Sequence, residues 1–212
     1  MRHGAVVADV GTDHAYLPIY LCQTGRAAGG VASDINQGPL ERAALHIGGA
    51  GLSDRIATVL CDGLAAIEPY APTDILVLGM GGELIARILS DAPWLKREGI
   101  RLILQPMTHP EEVRRFLSEN GFSITEERIV EEDKLYQIIG ADYTGELRSL
   151  SEVECLLGRI NIARGGDELA ALCERYLAVF EVRRQGKLSA GADISEEERM
   201  IAALGRIKEE KS

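Results

Sequence analysis

The chain has 212 residues, 46% of them hydrophobic and 26% charged, with a formal net charge of −10. That length suffices for one α/β domain with a small appendage, and the composition is that of a globular chain rather than a disordered or fibrous one. No apolar run reaches the ~20 residues of a membrane-spanning helix, so no membrane partner is expected.

After Met1, Arg2 and His3 the sequence goes straight into a strand pattern, which is not the pattern of a signal peptide. Residues 5–10 (AVVADV) are apolar and β-branched and end at Gly11, which predicts a buried strand entering a turn. A helix is expected over Tyr16–Gln23, then a weaker strand over 29–35 and a helix over Leu40–Gly48. Ile56–Leu60 reads as a third strand. Asp74–Leu78 reads as a fourth, stopping at Gly79-Met80-Gly81-Gly82, with a helix opening at Leu84–Leu89. Arg101–Gln105 is the fifth strand, and Glu111–Asn120 is an amphipathic helix closed by Gly121. Phe122–Glu131 and Leu135–Ala141 follow as two strands with no helix between them. Alternating strands and helices predict a mostly parallel sheet, and the closing pair predicts an antiparallel hairpin at one edge. The expected fold is therefore a Rossmann-like α/β sheet of the methyltransferase type over residues 1–147.

Beyond residue 148 the character changes. Leu169, Leu172, Tyr176, Val179 and Phe180 recur at helical spacing, as do Met200, Ile201, Leu204 and Ile207. The Gly186–Ile194 stretch is expected to separate them, giving a helical hairpin or coiled coil over 148–212. The four cysteines, Cys22, Cys61, Cys155 and Cys173, are scattered without a CxxC pair, which points to reduced cytoplasmic thiols and to no metal site.

Ligands of an open parallel sheet bind beyond the carboxyl ends of its strands. The polar residues of interest gather there: Asp9, Gly11, Asp13 and His14 after the first strand, Asp34 and Ile35 after the second, Asp62 and Gly63 after the third, and Gly79–Gly82 after the fourth. Gly11 lets the backbone turn tightly against a ligand. Asp34 lies 25 positions after Asp9, near the ~20-residue offset at which an acid meets ribose hydroxyls. Asp62 is placed to accept from an adenine amine. A GxGxxG fingerprint is absent, because Asp13 and His14 stand where further glycines would be. Acids there repel a pyrophosphate but tolerate a sulfonium and an ammonium, which favours S-adenosylmethionine over NAD. Taken singly, Asp34 and Asp62-Gly63 are ordinary turn residues, and His14 is a structural histidine; their placement at successive strand ends is what argues for a site. His46, His109 and Met107 read as structural.

The segments DVGTDHAYLPIYL (9–21), ASDINQGPLERA (32–43), DGL (62–64), DILVLGMGGELIARIL (74–89), RLILQPM (101–107) and LYQIIGA (135–141) resemble the bacterial tRNA adenine-N1 methyltransferases of the TrmK type, which modify adenosine 22. The resemblance spans about residues 4–145. It implies a Rossmann-like catalytic domain, a C-terminal helical coiled-coil domain, a tRNA substrate, and S-adenosylmethionine near Asp9, Gly11, Asp13, His14, Asp34, Asp62, Gly63 and the Gly79–Gly82 loop. Members of that family usually carry a helical segment ahead of the first strand, whose absence would uncover part of the cofactor pocket; either the start was assigned late or the segment is missing.

Adenine N1 has a free lone pair and needs no strong base, so positioning would supply most of the catalysis. Attack makes the ring cationic, and a carboxylate or carbonyl near N6 would stabilise that charge. Asp13 and the backbone of Gly79, Met80 and Gly81 are the candidates. The base must be unpaired or extruded to be reached, and Tyr16 could stack or line the pocket. The alternatives are a methyltransferase for another RNA or a small molecule, and a non-enzymatic nucleoside- or RNA-binding module. Residues 1–147 hold 12 basic and 21 acidic residues, net −9, against 11 and 12 in 148–212. A sheet domain so acidic would repel RNA, so the tail cations Arg175, Arg183, Arg184 and Lys187 are expected to meet phosphates. Arg87, Lys96, Arg97, Arg114 and Arg115 are the next candidates.

Overall fold

Strands and helices alternate through the first part of the chain as β1 (Ala5–Val10), α1 (Tyr16–Gln23), β2 (Ala27–Asp34), α2 (Gln37–Gly49), β3 (Ile56–Leu60), β4 (Asp74–Gly81), α3 (Gly82–Ser90), β5 (Arg101–Thr108), α4 (Pro110–Glu119), β6 (Phe122–Glu131) and β7 (Leu135–Tyr143). In this computed structural model, which describes residues 2–211, they form one seven-stranded sheet in the order β3-β2-β1-β4-β5-β7-β6. Strands β1 to β5 are parallel, and β7 is antiparallel to both β5 and β6.

Near-continuous apolar runs such as Ile75-Leu76-Val77 are buried because helices cover both faces of a parallel sheet. On one face Leu21 and Cys22 of α1 and Ala43 and Ile47 of α2 pack on Val7, Ala32 and Leu76. On the other, Ile85 and Ile88 of α3 and Val113 and Leu117 of α4 pack on Ala8, Val77, Leu102 and Leu104.

Four helices follow: α5 (Glu152–Leu157), α6 (Arg159–Arg164), α7 (Asp167–Ser189) and α8 (Ser195–Lys211). The expected hairpin is α7–α8, but its turn is shorter than the sequence suggests, because α7 runs through Gly186 to Ser189. The pair α5 and α6 has no counterpart in the sequence reading. Ser151 starts α5 with a capping box, accepting from Glu154 N–H while the Glu154 carboxylate reaches back. Leu156, Leu157, Leu169, Leu172, Cys173, Phe180, Met200 and Leu204 form a third core, against which Ile129 of β6 and Leu135 of β7 pack.

The seam between tail and sheet holds a fully buried ion pair. Arg114 Nε donates to Glu127 Oε1 at 2.6 Å, and both side chains are fully buried. Its Nη1 donates to the carbonyls of Cys155 at 2.9 Å and Leu156 at 3.1 Å, satisfying the open end of α5. Glu127 Oε2 accepts from Ile160 N–H at 2.8 Å, at the start of α6. Arg114 is therefore unavailable to RNA, contrary to its place among the reserve cations. Among the described residues no helix is long and apolar enough to cross a membrane, and no cluster of His, Cys, Asp or Glu could hold a metal. The four cysteines are free thiols.

Candidate functional site

The strand order reverses between β1 and β4, because the chain leaves β1 toward β2 and β3 and then crosses back to β4. A crevice opens at the carboxyl ends of strands beside such a switch point. The segments after β1, β2, β3 and β4 all end on this edge, so the acids and glycines picked out along the sequence are brought together.

The turn after β1 is fixed by its backbone. Gly11 N–H and Thr12 N–H both donate to Ser33 O, at 2.8 and 2.9 Å, and Gly11 has φ 78°. A β-carbon on Gly11 would come within 2.1 Å of Met80 Cε, so this glycine brings the tips of β1 and β4 together. Thr12 Oγ1 accepts from Ala15 N–H at 3.0 Å and closes the turn. Burial pushes the Asp9 carboxyl above its ordinary range, opposed by the Thr12 hydroxyl. A ligand ammonium would relieve that cost.

Asp13 is exposed, but both of its oxygens are engaged. Arg42 of α2 donates to Oδ1 from Nε at 3.1 Å and also from Nη2, while His14 Nε2 lies 3.1 Å from Oδ2. The Arg42 hydrogen bonds are the main reason that the Asp13 carboxyl lies below its ordinary range. A carboxylate so held is a fixed acceptor and a poor base. His14 in turn stacks on Tyr16 at 5.0 Å between ring centroids and lies 5.1 Å from His46. His46 Nδ1 donates to His14 O at 3.1 Å. His14 Nδ1 is buried without a hydrogen-bond partner among the described residues.

Asp34 closes β2 half-buried, and its Oδ1 accepts from Asn36 N–H at 2.7 Å. Ile35 is exposed beside it. Asp62 is exposed, 4.0 Å from Arg87, and Gly63 takes φ 53°. The Gly79-Met80-Gly81 segment continues β4 rather than leaving it as a loop: Met80 pairs with Pro106 and Gly81 with Thr108, across register shifts. Gly79 N–H donates to Gln105 Oε1 at 3.0 Å, so this amide already has a partner.

Arg42 was not singled out along the sequence, and His46 was read as structural. Their four-residue spacing puts them on one face of α2 and was the available signal. The tail cations are not equivalent. Arg184 is paired with Glu181 at 2.6 Å, and Lys187 with Glu197 at 2.6 Å, which turns Lys187 toward α8. Arg175 and Arg183 make no ion pair among the described residues. They line a cleft of about 440 Å³ between α7 and the β5–α4 junction, where Met107 and His109, read as structural along the sequence, also lie.

Comparison with known proteins agrees with this architecture. A family model for a methyltransferase domain matches residues 1–139. The tRNA (adenine(22)-N(1))-methyltransferase of Bacillus subtilis is 38% identical over 141 residues, 66% of this chain, and the aligned stretch spans 59% of the Bacillus protein. The crystal structure of the B. subtilis tRNA methyltransferase TrmK superposes with a TM-score of 0.82 at 30% identity, covering 98% of this chain and 90% of that one. A Streptococcus pneumoniae protein solved in complex with S-adenosyl-L-methionine gives 0.86 at 30% identity, covering 98% and 94%.

Proposed function

Because the chain belongs to the methyltransferase-domain family, we propose that it is an S-adenosylmethionine-dependent enzyme that methylates N1 of an adenine in tRNA, at the position corresponding to adenosine 22. The observation that carries this is the set of acids at the switch-point edge, with no glycine cradle for a pyrophosphate. The residues present fit the cofactor: desolvated Asp9 suits an ammonium, Asp34 suits ribose hydroxyls, and Asp62 suits an adenine amine. Ile35, Gly63 and Gly79 complete the proposed lining. When bound, the cofactor supplies a methyl group already activated on a sulfonium.

The protein's task is then to place the adenine and answer the charge that develops on it. Asp13, hydrogen-bonded by Arg42, presents a carboxylate held in place at that edge. The carbonyls of Gly79, Met80 and Gly81 are further acceptors at the same edge. No covalent nucleophile is required. In this reading residues 1–147 form the catalytic part and 148–212 the part that engages tRNA, a division of labour in the cytoplasm between two pieces that share a sealed seam.

Mass spectrometry of nucleosides from tRNA incubated with protein and cofactor tests the reading. The expected product is 1-methyladenosine at one position. Its absence, with cofactor bound, would favour the non-enzymatic module, and a methylated small molecule or other RNA would favour those substrates instead.

Two further results are expected. Asp13→Ala should keep its melting temperature within a few degrees, since Asp13 and Arg42 are both exposed, while losing most methyl transfer. An active or unfolded variant contradicts the role. Carbon-13 titration of the Asp13 carboxyl should show it staying ionised as pH falls through the ordinary carboxylate range. In Arg42→Ala protonation should begin at higher pH, because the group that lowers this pKa most has gone. An unmoved titration would mean that the Arg42 hydrogen bonds are not formed in solution.

A further inference from the structure

The cleft between α7 and the β5–α4 junction is separate from the proposed cofactor edge: none of Asp9, Asp13, Asp34 and Asp62 lines it. Its volume of about 440 Å³ falls within the 300–1,000 Å³ usual for pockets that enclose small ligands. It lies one strand from the Gly79–Gly81 segment. Gly81 is in register with Thr108, which lines the cleft, and a β-carbon on Gly82 would come within 2.0 Å of His109 O.

Of the glutamates in the lining, Glu112 is paired with Arg115, Glu111 accepts from His109 at 3.0 Å, Glu196 lies 3.7 Å from Lys187, and Glu152 makes no ion pair among the described residues. Arg175 and Arg183 have no such partner among the described residues. Arg175 donates only weakly, to Leu135 O at 3.4 Å. The Arg183 guanidinium carbon lies over the Phe180 ring, 5.3 Å from its centroid, at the cleft wall. A flat guanidinium is a surface on which an unstacked base lies, and a second cation beside it suits a phosphate. Extruding one base to reach its N1 strips a stacking partner from its neighbour.

We propose that this cleft takes one unstacked nucleotide of the tRNA adjacent to the methylated adenosine, its base laid on the Arg183 guanidinium and its phosphate met by Arg175. This rests on the tRNA reading above. It goes beyond a basic tail, because it calls for a planar group at one position and for one nucleotide beside the target.

The test combines filter binding and methyl transfer with tRNAs carrying an abasic residue immediately 5′ or 3′ of the methylated adenosine. Arg183→Ala should weaken tRNA binding about five- to a hundredfold, the range of a lost base stack. Arg183→Lys should not restore it, because lysine keeps the charge without the plane. One of the abasic tRNAs should lose a similar factor with the wild-type protein, and against that tRNA Arg183→Ala should cost nothing further. Arg175→Ala should flatten the salt dependence of binding by about one counterion. Cofactor affinity by calorimetry should not change in any variant. Rescue by Arg183→Lys, or losses from Arg183→Ala and both abasic sites that multiply independently, would overturn the inference and leave the tRNA reading standing. A wild-type protein that binds cofactor and neither binds nor methylates tRNA would overturn both.

Discussion

Replacing Arg114 with leucine is expected to lower the unfolding free energy by about 3–5 kcal/mol, the cost of leaving one charge of a buried pair without its partner. Glu127 would keep only the Ile160 N–H, and the carbonyls of Cys155 and Leu156 would lose the Arg114 donor, while Leu157 O keeps Asn161 Nδ2. The damage should not be confined to the tail, because Arg114 belongs to α4, Glu127 to β6, and the acceptors to α5. Urea unfolding followed by both tail and sheet probes should therefore shift as one transition. A double variant, Arg114→Met with Glu127→Leu, should recover part of the loss, since it removes both charges. A single variant within 1 kcal/mol of wild type would show that the pair is solvated in solution. The same seam decides what truncation near Gly145 would do. A shortened chain leaves this ion pair uncovered and strips the cover from Ile129 and Leu135. It should be less stable as well as poorer at binding tRNA, and point substitutions at Arg175 and Arg183 are the cleaner probe of the tail.

The order of elements was legible because buried parallel strands are short apolar runs and the helices between them have a periodic apolar face. What misled was punctuation. Gly79–Gly81 read as leaving the fourth strand, and the fifth was expected to stop at Gln105, yet Met80 pairs with Pro106 and Gly81 with Thr108, extending β4 and β5. A glycine or proline can stay in a ladder where a register shift absorbs it. Gly186 read as a break, but a single glycine costs a helix only about 1 kcal/mol, and α7, 23 residues long, carries it. The helices α5 and α6 are six residues each, too short for a period to show. The Ser151–Glu154 capping box was the one local sign of them.

The strand-end positions of the candidate site's acids were legible for a different reason. Strand ends are fixed by the apolar runs, so a polar residue just beyond each is placed by arithmetic alone. The partners of those acids were not. Arg42 reaches Asp13 from 29 positions away, and only the packing of α2 on the sheet brings them together. The tail shows the same limit in reverse. Helical spacing predicts a basic face, but Glu197, supplied by α8, removes Lys187 from it.

Asp34→Ala is expected to weaken cofactor binding by about 1.5–3 kcal/mol for each charge-assisted ribose hydrogen bond lost, some ten- to 150-fold per bond. The side chain also has a local duty, since its Oδ1 accepts from Asn36 N–H at 2.7 Å and so shapes the turn into α2. The alanine variant alone would confound the two. Asp34→Asn separates them, because an asparagine can still accept from Asn36 with its one carbonyl oxygen while its other terminal atom becomes a donor facing the hydroxyls. If Asp34 serves the ribose, calorimetry should show the asparagine variant losing most of what the alanine loses, with melting temperature held. If it serves only the turn, asparagine should bind S-adenosylmethionine like wild type, and the ribose would have to be held elsewhere on the switch-point edge.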